Sequence, residues 1–470
     1  MATGSVSVSY PASRSIPFGL CGFVILLGDI MALALAMGLA VLGRAALGGD
    51  FDALHYLRLT PIIALFIAVY ALSSLYPGVT FNPVAELRQL SVSTTLVFVV
   101  ISALLFLLKS GPEYSRQVFL AGWIGALFSV PLTRALLRAI LGGRPWWGVP
   151  IAVLGSPEDV NPIVALLRGR PELGLSPVPI FASPETLADG AGDVSGSRQR
   201  RRGLDRAILA RADLSQHQVA HLIESEAVHF SRVYVLPNVQ GLSSEGVEVR
   251  DLGFRLALEI RRNLLLPRHQ MAKAILDRTL SIGLGMAVLP MMALIAVAIR
   301  LESRGPALFG HTRIGRRGEP FRIWKFRTMH QDGARILEEH FRRHPTDQVE
   351  WARSYKLRHD PRVTKLGRFL RKTSLDELPQ LWNVLRGEMS LVGPRPIIAS
   401  EIEKYGEAFH LYCRVVPGLT GMWQVSGRSE TDYGQRVDLD TFYVRNWSPW
   451  LDVYLLARTF KVVLRGEGAY

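Results

Sequence analysis

Cysteine is nearly absent from this chain: 470 residues carry two, Cys21 and Cys413. They stand near opposite ends, so no disulfide is expected and a reducing compartment is consistent. No cysteines or histidines have zinc-site spacing, and His311, His330 and His359 read as solvated loop histidines. No stripe of arginine, lysine and aromatics marks a nucleic-acid surface, so nucleic acid is not an expected partner. Ahead of Pro17 the chain carries a single cation, Arg14, and further apolar segments follow, so a cleaved signal is not expected.

What the chain does have is apolar length and positive charge. Apolar residues make up 49% of it, and 54 Lys and Arg stand against 40 Asp and Glu, a net charge of +14. That combination suits a protein held against an anionic bilayer surface. Four apolar segments come first: 17–42, 61–76, 90–108 and 118–140, near the ~20 residues that span a bilayer, the second being short. Asp29 lies inside the first, where a helix-packing role is the reading favoured over an ion path. Basic residues at the end of the fourth segment (Arg134, Arg138) and just after it (Arg144) place both termini in the cytoplasm.

The pattern changes near Val149. Runs at Val149–Leu154, Val178–Phe181, Arg206–Ala210 and Val233–Leu236 read as strands, with helices over Glu158–Leu167 and Ser215–Glu224. Such alternation predicts a small parallel-sheet domain. Leu154-Gly-Ser is not followed by the second and third glycines of a dinucleotide fingerprint, so a regulatory or dimerising module is expected, which admits a homodimer. The basic 190–203 stretch reads as a loop.

An uncharged run, Thr279–Ala298, follows. At a helical rise of ~1.5 Å per residue it is long enough to cross a bilayer. Crossing, however, would export the segment 301–470, with its 28 Lys and Arg against 20 Asp and Glu. Pro290 sits mid-run, where proline removes a backbone hydrogen bond and bends a helix. The expectation is a helix that enters the cytoplasmic leaflet and returns at Pro290.

Beyond it, Ala307–Phe309 and Phe321–Arg327 read as strands about a Gly315–Gly318 turn, and Arg335–Arg343 as a helix. Arg371-Lys-Thr-Ser-Leu-Asp-Glu-Leu-Pro-Gln380 is the most informative stretch. Ser374-x-x-Glu377 has the form of a capping box for a helix starting at Leu375. Asp376 and Glu377 would then occupy the first turn, between Arg371, Lys372 and Arg395. Carboxylates beside cations can hold a metal and a phosphate, although acidic first turns are also common for the helix dipole alone. Over 446–464, tryptophans alternate with cations, as on a membrane-interface helix or a core-facing one.

Lys325-Phe-Arg-Thr-Met329, the Arg371–Gln380 stretch, Ser390-Leu-Val-Gly-Pro-Arg-Pro396 and Pro417-Gly-Leu-Thr-Gly421 occur in one order. That series resembles the bacterial sugar transferases, the monotopic phosphoglycosyl transferases, from Lys273 to the final Tyr470. The resemblance implies a four-helix transmembrane bundle over 1–145, a Rossmann-like α/β domain over 146–265 and an α+β monotopic catalytic domain over 266–470, with a re-entrant helix at 279–300. It implies transfer of a sugar-1-phosphate from a UDP-sugar to undecaprenyl phosphate at the cytoplasmic face of the inner membrane, releasing UMP. The long layout favours galactose, with glucose next, for an O-antigen, capsule or exopolysaccharide.

The resemblance also assigns roles. Asp376 is nucleophile and Mg²⁺ contact, and Glu377 assists it. Arg371, with Lys372 beside it, faces the lipid phosphate; Arg395 and Arg428 face the nucleotide. Lys325 and Arg327 are phosphate contacts or structural ion-pair residues. Two other classes stand beside this one: a glycosyltransferase moving a bare sugar, whose acidic metal motif and nucleotide-binding pair are not found, and a non-catalytic membrane scaffold.

Overall fold

The computed structural model describes residues 19–48, 56, 60–76, 82–107, 114–144, 146–155, 157–170, 173–181, 206–209, 232–235, 247–251, 256–260, 263–344, 347–348, 351, 357, 360–426 and 432–465. They fall into two compact units, Met1–Val239 and Gln240–Tyr470.

The first unit opens with helices α1 (Gly19–Ala46), α2 (Ile62–Leu72), α3 (Pro83–Leu107) and α4 (Arg116–Leu141). α1 and α4 approach closely because small residues face each other. A Cβ on Gly125 would touch Ala36, and one on Gly28 would strike Leu137. Small-residue contacts of this kind are how helices associate where no water drives burial. Leu27, Met31, Leu35 and Leu39 turn outward on α1, a surface suited to lipid. α1, α3 and α4 are long and apolar enough to cross a membrane, and so is one helix of the second unit, Pro267–Glu302. The chain is a membrane protein.

The short second segment is a correction to the spans expected. α2 has 11 residues, which rise ~17 Å, about half of the hydrocarbon core. It packs inward instead, with Phe66 and Tyr70 in the bundle core.

Asp29 is wholly buried and accepts from Arg134 at 3.0 and 2.7 Å and from the Tyr76 hydroxyl at 2.7 Å. Arg134 also reaches Glu86 at 2.8 Å, and Arg138 holds Glu86 at 2.6 Å. The result is a closed set of two acids and two guanidiniums joining α1, α3 and α4. Asp29 thus has the packing role.

After the bundle, β1 (Val149–Gly155), α5 (Pro157–Arg168), β2 (Leu175–Phe181), β3 (Arg206–Leu209) and β4 (Arg232–Val235) follow. The strands form one parallel sheet in the order β2-β1-β3-β4. β1 is central and reads as an unbroken apolar run, as a strand covered on both faces must; Ile151 and Val153 pack on Val160 and Val164 of α5. The helix expected over Ser215–Glu224 and the loop at 190–203 lie outside the described residues.

The second unit begins with an antiparallel hairpin, β5 (Val247–Asp251) and β6 (Leu256–Ile260), which the residue pattern did not announce. Then comes α6 (Pro267–Glu302), 36 residues in one continuous helix, ~54 Å if straight. Pro290 lies inside it without ending it, so the break expected at Pro290 is not an interruption of helix. The ends of α6 are clamped. Lys273 meets Asp452 at 2.6 Å and Asp277 accepts from Ser390 at 2.7 Å; Ile299 is buried with Phe326 and Leu370. Between them Leu284, Met286 and Leu289 are exposed.

A hairpin of β7 (Leu308–Ile314) and β8 (Pro320–Phe326) follows, then α7 (Gly333–Arg343), α8 (Lys365–Lys372), a 3-10 turn at Leu375–Gln380, α9 (Leu381–Arg386), β9 (Ser390–Val392), β10 (Gly418–Thr420), α10 (Tyr433–Arg445) and α11 (Pro449–Arg465). On α11 the core-facing reading holds for its inner side. Leu451, Asp452 and Leu455 are buried, and Trp447, just before the helix, donates to Asp452 at 3.0 Å. Phe460 is exposed.

Candidate active site

Two of the sequence motifs meet at the end of β8. Thr364 caps α8 by accepting from the Gly367 amide at 2.9 Å. The Thr328 carbonyl lies so close to Gly367 that a Cβ there would collide with it, so glycine is required for α8 to seat against the β8 end. Arg371, in the last turn of α8, donates its Nε to Thr328 Oγ1 at 2.9 Å. Behind the site, buried Asn383 of α9 accepts from the Trp324 amide at 3.1 Å and donates to the Arg322 carbonyl at 2.7 Å. These bonds fix β8 relative to the turn that carries the two acids.

That turn differs from the one expected. Ser374 is in the left-handed region (φ 55°) and its side chain caps nothing, so the capping box does not form. The residues after it form a 3-10 turn rather than the start of an α-helix. Pro379, inside the turn, has no amide hydrogen to continue an α-helical ladder. The Glu377 carboxylate turns instead to Lys325, whose Nζ it meets at 2.5 Å. Asp376 Oδ2 stands 3.9 Å from the same Nζ.

The electrostatics are unequal. Asp376 is 9% exposed. Burial pushes its carboxyl up to about 6, against the pull of Lys325 and Arg371, and the Glu377 charge adds to the rise. Burial also lowers the Arg371 guanidinium, opposed by Asp376 and Asp360. The site holds a desolvated carboxylate only partly neutralised by its cations, a common state for a group that reacts.

Arg327 goes elsewhere: it donates to the carbonyls of Arg304 at 2.9 Å and Ser303 at 2.6 Å, locking the chain that leaves α6. Of its two readings the structural one fits, through backbone carbonyls rather than an ion pair. Lys372 is exposed, next to Arg371 in the chain. Arg428 and His359 lie outside the described residues. Thr328, Thr364 and Gly367 join the site without having been assigned to it; Thr328 stands inside the Lys325–Met329 motif, and the Thr364-x-x-Gly367 cap was the other sign.

The other two motifs also meet. β9 and β10 pair in parallel, and the Gly393 amide donates to the Thr420 carbonyl at 2.8 Å. A Cβ on Gly418 or Gly421 would collide with the Gly393 backbone. This interlock presents Arg395, whose guanidinium lies over the Trp423 ring at 5.2 Å. Arg436 of α10 covers the same ring at 5.0 Å. Arg395 thus stands in a second cluster with Arg313, Arg436 and Asp440, distinct from the charges that act on Asp376.

The model of the family described as bacterial sugar transferase matches residues 268–466, which hold both clusters. The undecaprenyl-phosphate galactose phosphotransferase of Salmonella typhimurium is 34% identical over 394 residues, 82% of each chain. This chain belongs to the bacterial sugar transferase family. It is an enzyme of the transferase class. A UDP-glucose:undecaprenyl-phosphate glucose-1-phosphate transferase of Escherichia coli is 31% identical over 329 residues, 67% of each chain. The exopolysaccharide production protein ExoY of Sinorhizobium fredii is 44% identical over 204 residues, which are 90% of that protein and 43% of this chain. A member of the family can therefore consist of little more than the second unit's share of the chain.

Among the described residues of this family member, no three His, Cys, Asp or Glu side chains are grouped to hold a metal. Asp376 and Glu377 supply two adjacent carboxylates. Mg²⁺ is bound through one or two carboxylates, with waters and substrate phosphates completing its shell. The donor set fits a hard cation that arrives with a diphosphate, not a closed protein site.

Proposed function

We propose that this chain transfers a hexose-1-phosphate, galactose-1-phosphate, from a UDP-sugar to undecaprenyl phosphate, releasing UMP, at the cytoplasmic face of the inner membrane. The observation that carries the reading is Asp376: buried, one residue from a second acid, and shared between Lys325 and Arg371. The relatives named for phosphotransfer to undecaprenyl phosphate support it.

In the first step Asp376, ionised, attacks the β-phosphorus of the donor. The bond from that phosphorus to the bridging oxygen breaks, and the electron pair leaves on UMP. In the second step an oxygen of undecaprenyl phosphate attacks the phosphosugar–aspartate and frees the carboxylate. Glu377 keeps Lys325 at the site and so sets the charge beside Asp376. Mg²⁺, held by Asp376 with Glu377 beside it, would supply charge neutralisation on the diphosphate. A carboxylate is a weak nucleophile, so surrounding positive charge has to supply much of the rate. Arg371 is the residue for the lipid phosphate: α8 carries it, and Leu366 and Leu370 of α8 pack on Ile295 and Ile299 of α6.

α6 supports the re-entrant topology. Residues near both ends, Lys273 and Ile299, are held by the same 301–470 domain, and the apolar middle is bare. A domain that grips both ends suits a helix entering and leaving by one face, bent at Pro290. Cysteines introduced by Arg262→Cys and Arg300→Cys should be labelled from the same side; periplasmic labelling at position 300 alone would overturn the re-entrant reading. The parallel-sheet domain, read as Rossmann-like, contributes no candidate to the chemistry.

The experiment that tests the reaction leaves out the lipid acceptor. Enzyme with UDP-galactose and Mg²⁺ should release up to one UMP per site and gain a hexose-phosphate mass on the peptide bearing Asp376. UMP release that requires undecaprenyl phosphate, with no adduct, would mean direct displacement. A donor panel decides galactose against glucose, the second reading that the Escherichia coli relative favours.

A further inference from the structure

α2 is too short to fill its share of the helix bundle, and beside it lies a cavity. About 460 Å³ is open between α1, α2, α3 and α4, walled chiefly by apolar atoms. Protein interiors are close-packed, with few voids larger than a water molecule. An empty void destabilises in proportion to its volume, and an apolar one does not fill with water. A cavity of this size among apolar helices therefore calls for an apolar occupant.

Both ends of the cavity are defined. Leu33, Phe66 and Phe98 line the inner end, the two phenyl rings edge to face at 5.3 Å. One turn further along α2, the Tyr70 hydroxyl meets Thr94 Oγ1 at 2.6 Å and its ring lies 6.0 Å from the Arg134 guanidinium, so the charged set around Asp29 bounds that end. Tyr56 and Thr60 line the outer end. Tyr56 accepts from the Ser115 amide at 2.7 Å and meets Tyr114 edge-on, and Tyr114 meets Phe119 in the same way. Tyrosines gather where a bilayer meets water. From Leu33 to Leu42 α1 rises ~14 Å, about the depth of one leaflet.

The side wall is low. Ala34, Gly38 and Leu42, one turn apart on α1, line the cavity and are exposed. A Cβ on Gly38 would meet nothing. Leu35 and Leu39 follow Ala34 and Gly38 on the outward surface, so the cavity is continuous with the face that α1 turns to lipid.

Volume and depth select the occupant. A cavity of ~150 Å³ takes benzene, with six carbons; on that scale 460 Å³ takes on the order of 18. We propose that the cavity binds one fatty-acyl chain of a membrane phospholipid. The chain enters past Gly38, with its ester end at Tyr56 and Thr60 and its methyl end at Phe66 and Phe98. It completes the bundle core that an 11-residue α2 leaves short. A polyprenyl chain, branched and far longer, would leave most of its length outside. The site does not depend on the transfer reading.

The test places the full chain in nanodiscs of phosphatidylethanolamine whose acyl chain carries a photoreactive diazirine. With the diazirine at the methyl end, crosslinks should concentrate on the peptides holding Phe66 and Phe98. With it beside the ester, they should move to those holding Tyr56 and Thr60. Gly38→Trp, which fills the mouth, should cut both sets about fivefold or more. Leu39→Trp, on the outward surface, should leave them within about twofold of wild type. In detergent stripped of lipid, added phosphatidylethanolamine should raise the melting temperature of wild type and leave that of Gly38→Trp unchanged. If Gly38→Trp does not fold, Ala34→Phe takes its place. Crosslinks spread evenly over Leu27, Met31 and Leu35, and unaltered in a folded mouth variant, would mean surface lipid only and overturn the site. Displacement of the phospholipid by equimolar undecaprenyl phosphate would overturn the choice of occupant.

Discussion

Asp29 and Asp376 are both withdrawn from water and both have an arginine close by, but their surroundings treat them differently. Asp29 receives two hydrogen bonds from Arg134 and one from Tyr76, and Glu86 and Arg138 close the set. Asp376 has a lysine at 3.9 Å, which Glu377 holds more tightly, and an arginine whose Nε is bound to Thr328. Burial is similar and saturation is not. A saturated buried ion pair contributes specificity to packing and offers nothing to a substrate. An unsaturated one is left with the capacity to bind or to react.

Identical changes at the two positions should therefore have opposite consequences. The largest effect is on chemistry. Asp376→Asn should lower sugar-phosphate transfer by at least about 10⁴-fold, the scale on which loss of a nucleophile acts, with membrane insertion unchanged. Asp29→Asn should leave turnover per folded molecule near that of wild type. Lipid-linked product per folded enzyme measures both.

Stability should run the other way. Asp29→Asn breaks a buried pair and leaves Arg134 under-compensated, a loss of about 3–5 kcal/mol. At Asp376 the folded value, about 6, lies above the ordinary aspartate value of 3.8. The folded protein thus holds the extra proton between those values, and its stability falls as pH rises through that window. At pH 8 the full cost applies, and Asp376→Asn should stabilise the protein by at most about 3 kcal/mol. Denaturation at pH 8 compares the two; equal signs would break the comparison.

The same cause sets a pH profile. kcat/KM, which reports the free enzyme, should decline as pH falls through about 6, where Asp376 takes up its proton. Lys325→Met removes a charge that favours the ionised form, so the acid limb should move up by about one unit. A limb that stays in place would show that Asp376 does not set it. The smallest effect concerns the first unit. A fragment beginning near residue 261 should retain transfer in detergent, because every phosphate-handling candidate lies beyond Arg304 and ExoY consists of little more than the matching region. Complete loss in a folded, membrane-bound fragment would give the first unit a part in the chemistry.

Much of the fold was legible from residue pattern. Its apolar run placed β1 to within a residue and β8 was placed as closely, whereas β7, mostly exposed, was read only as far as Phe309 and runs on to Ile314, because an exposed strand carries no apolar code. The acids were legible as a pair, since Asp376 and Glu377 sit among cations in a stretch with few other uses. The capping box was misread for a physical reason. Ser374-x-x-Glu377 satisfies the local rule, but Lys325, far earlier in the chain, outcompetes the Ser374 amide for the Glu377 carboxylate. The Arg313–Arg436 cluster was invisible, because nothing in either local stretch refers to the other.

Sequence by itself determined what depends on neighbours along the chain: the apolar helices, the excess of cations, the strand alternation and the motif series that marks the family. Tertiary structure alone decided which cation meets which acid. Asp29 is neutralised, Asp376 is left wanting and Arg327 is spent on carbonyls because of contacts between residues distant in sequence. Hydrogen-bond saturation is a property of three-dimensional neighbourhoods, and an aspartate carries no local mark of whether its partners will arrive.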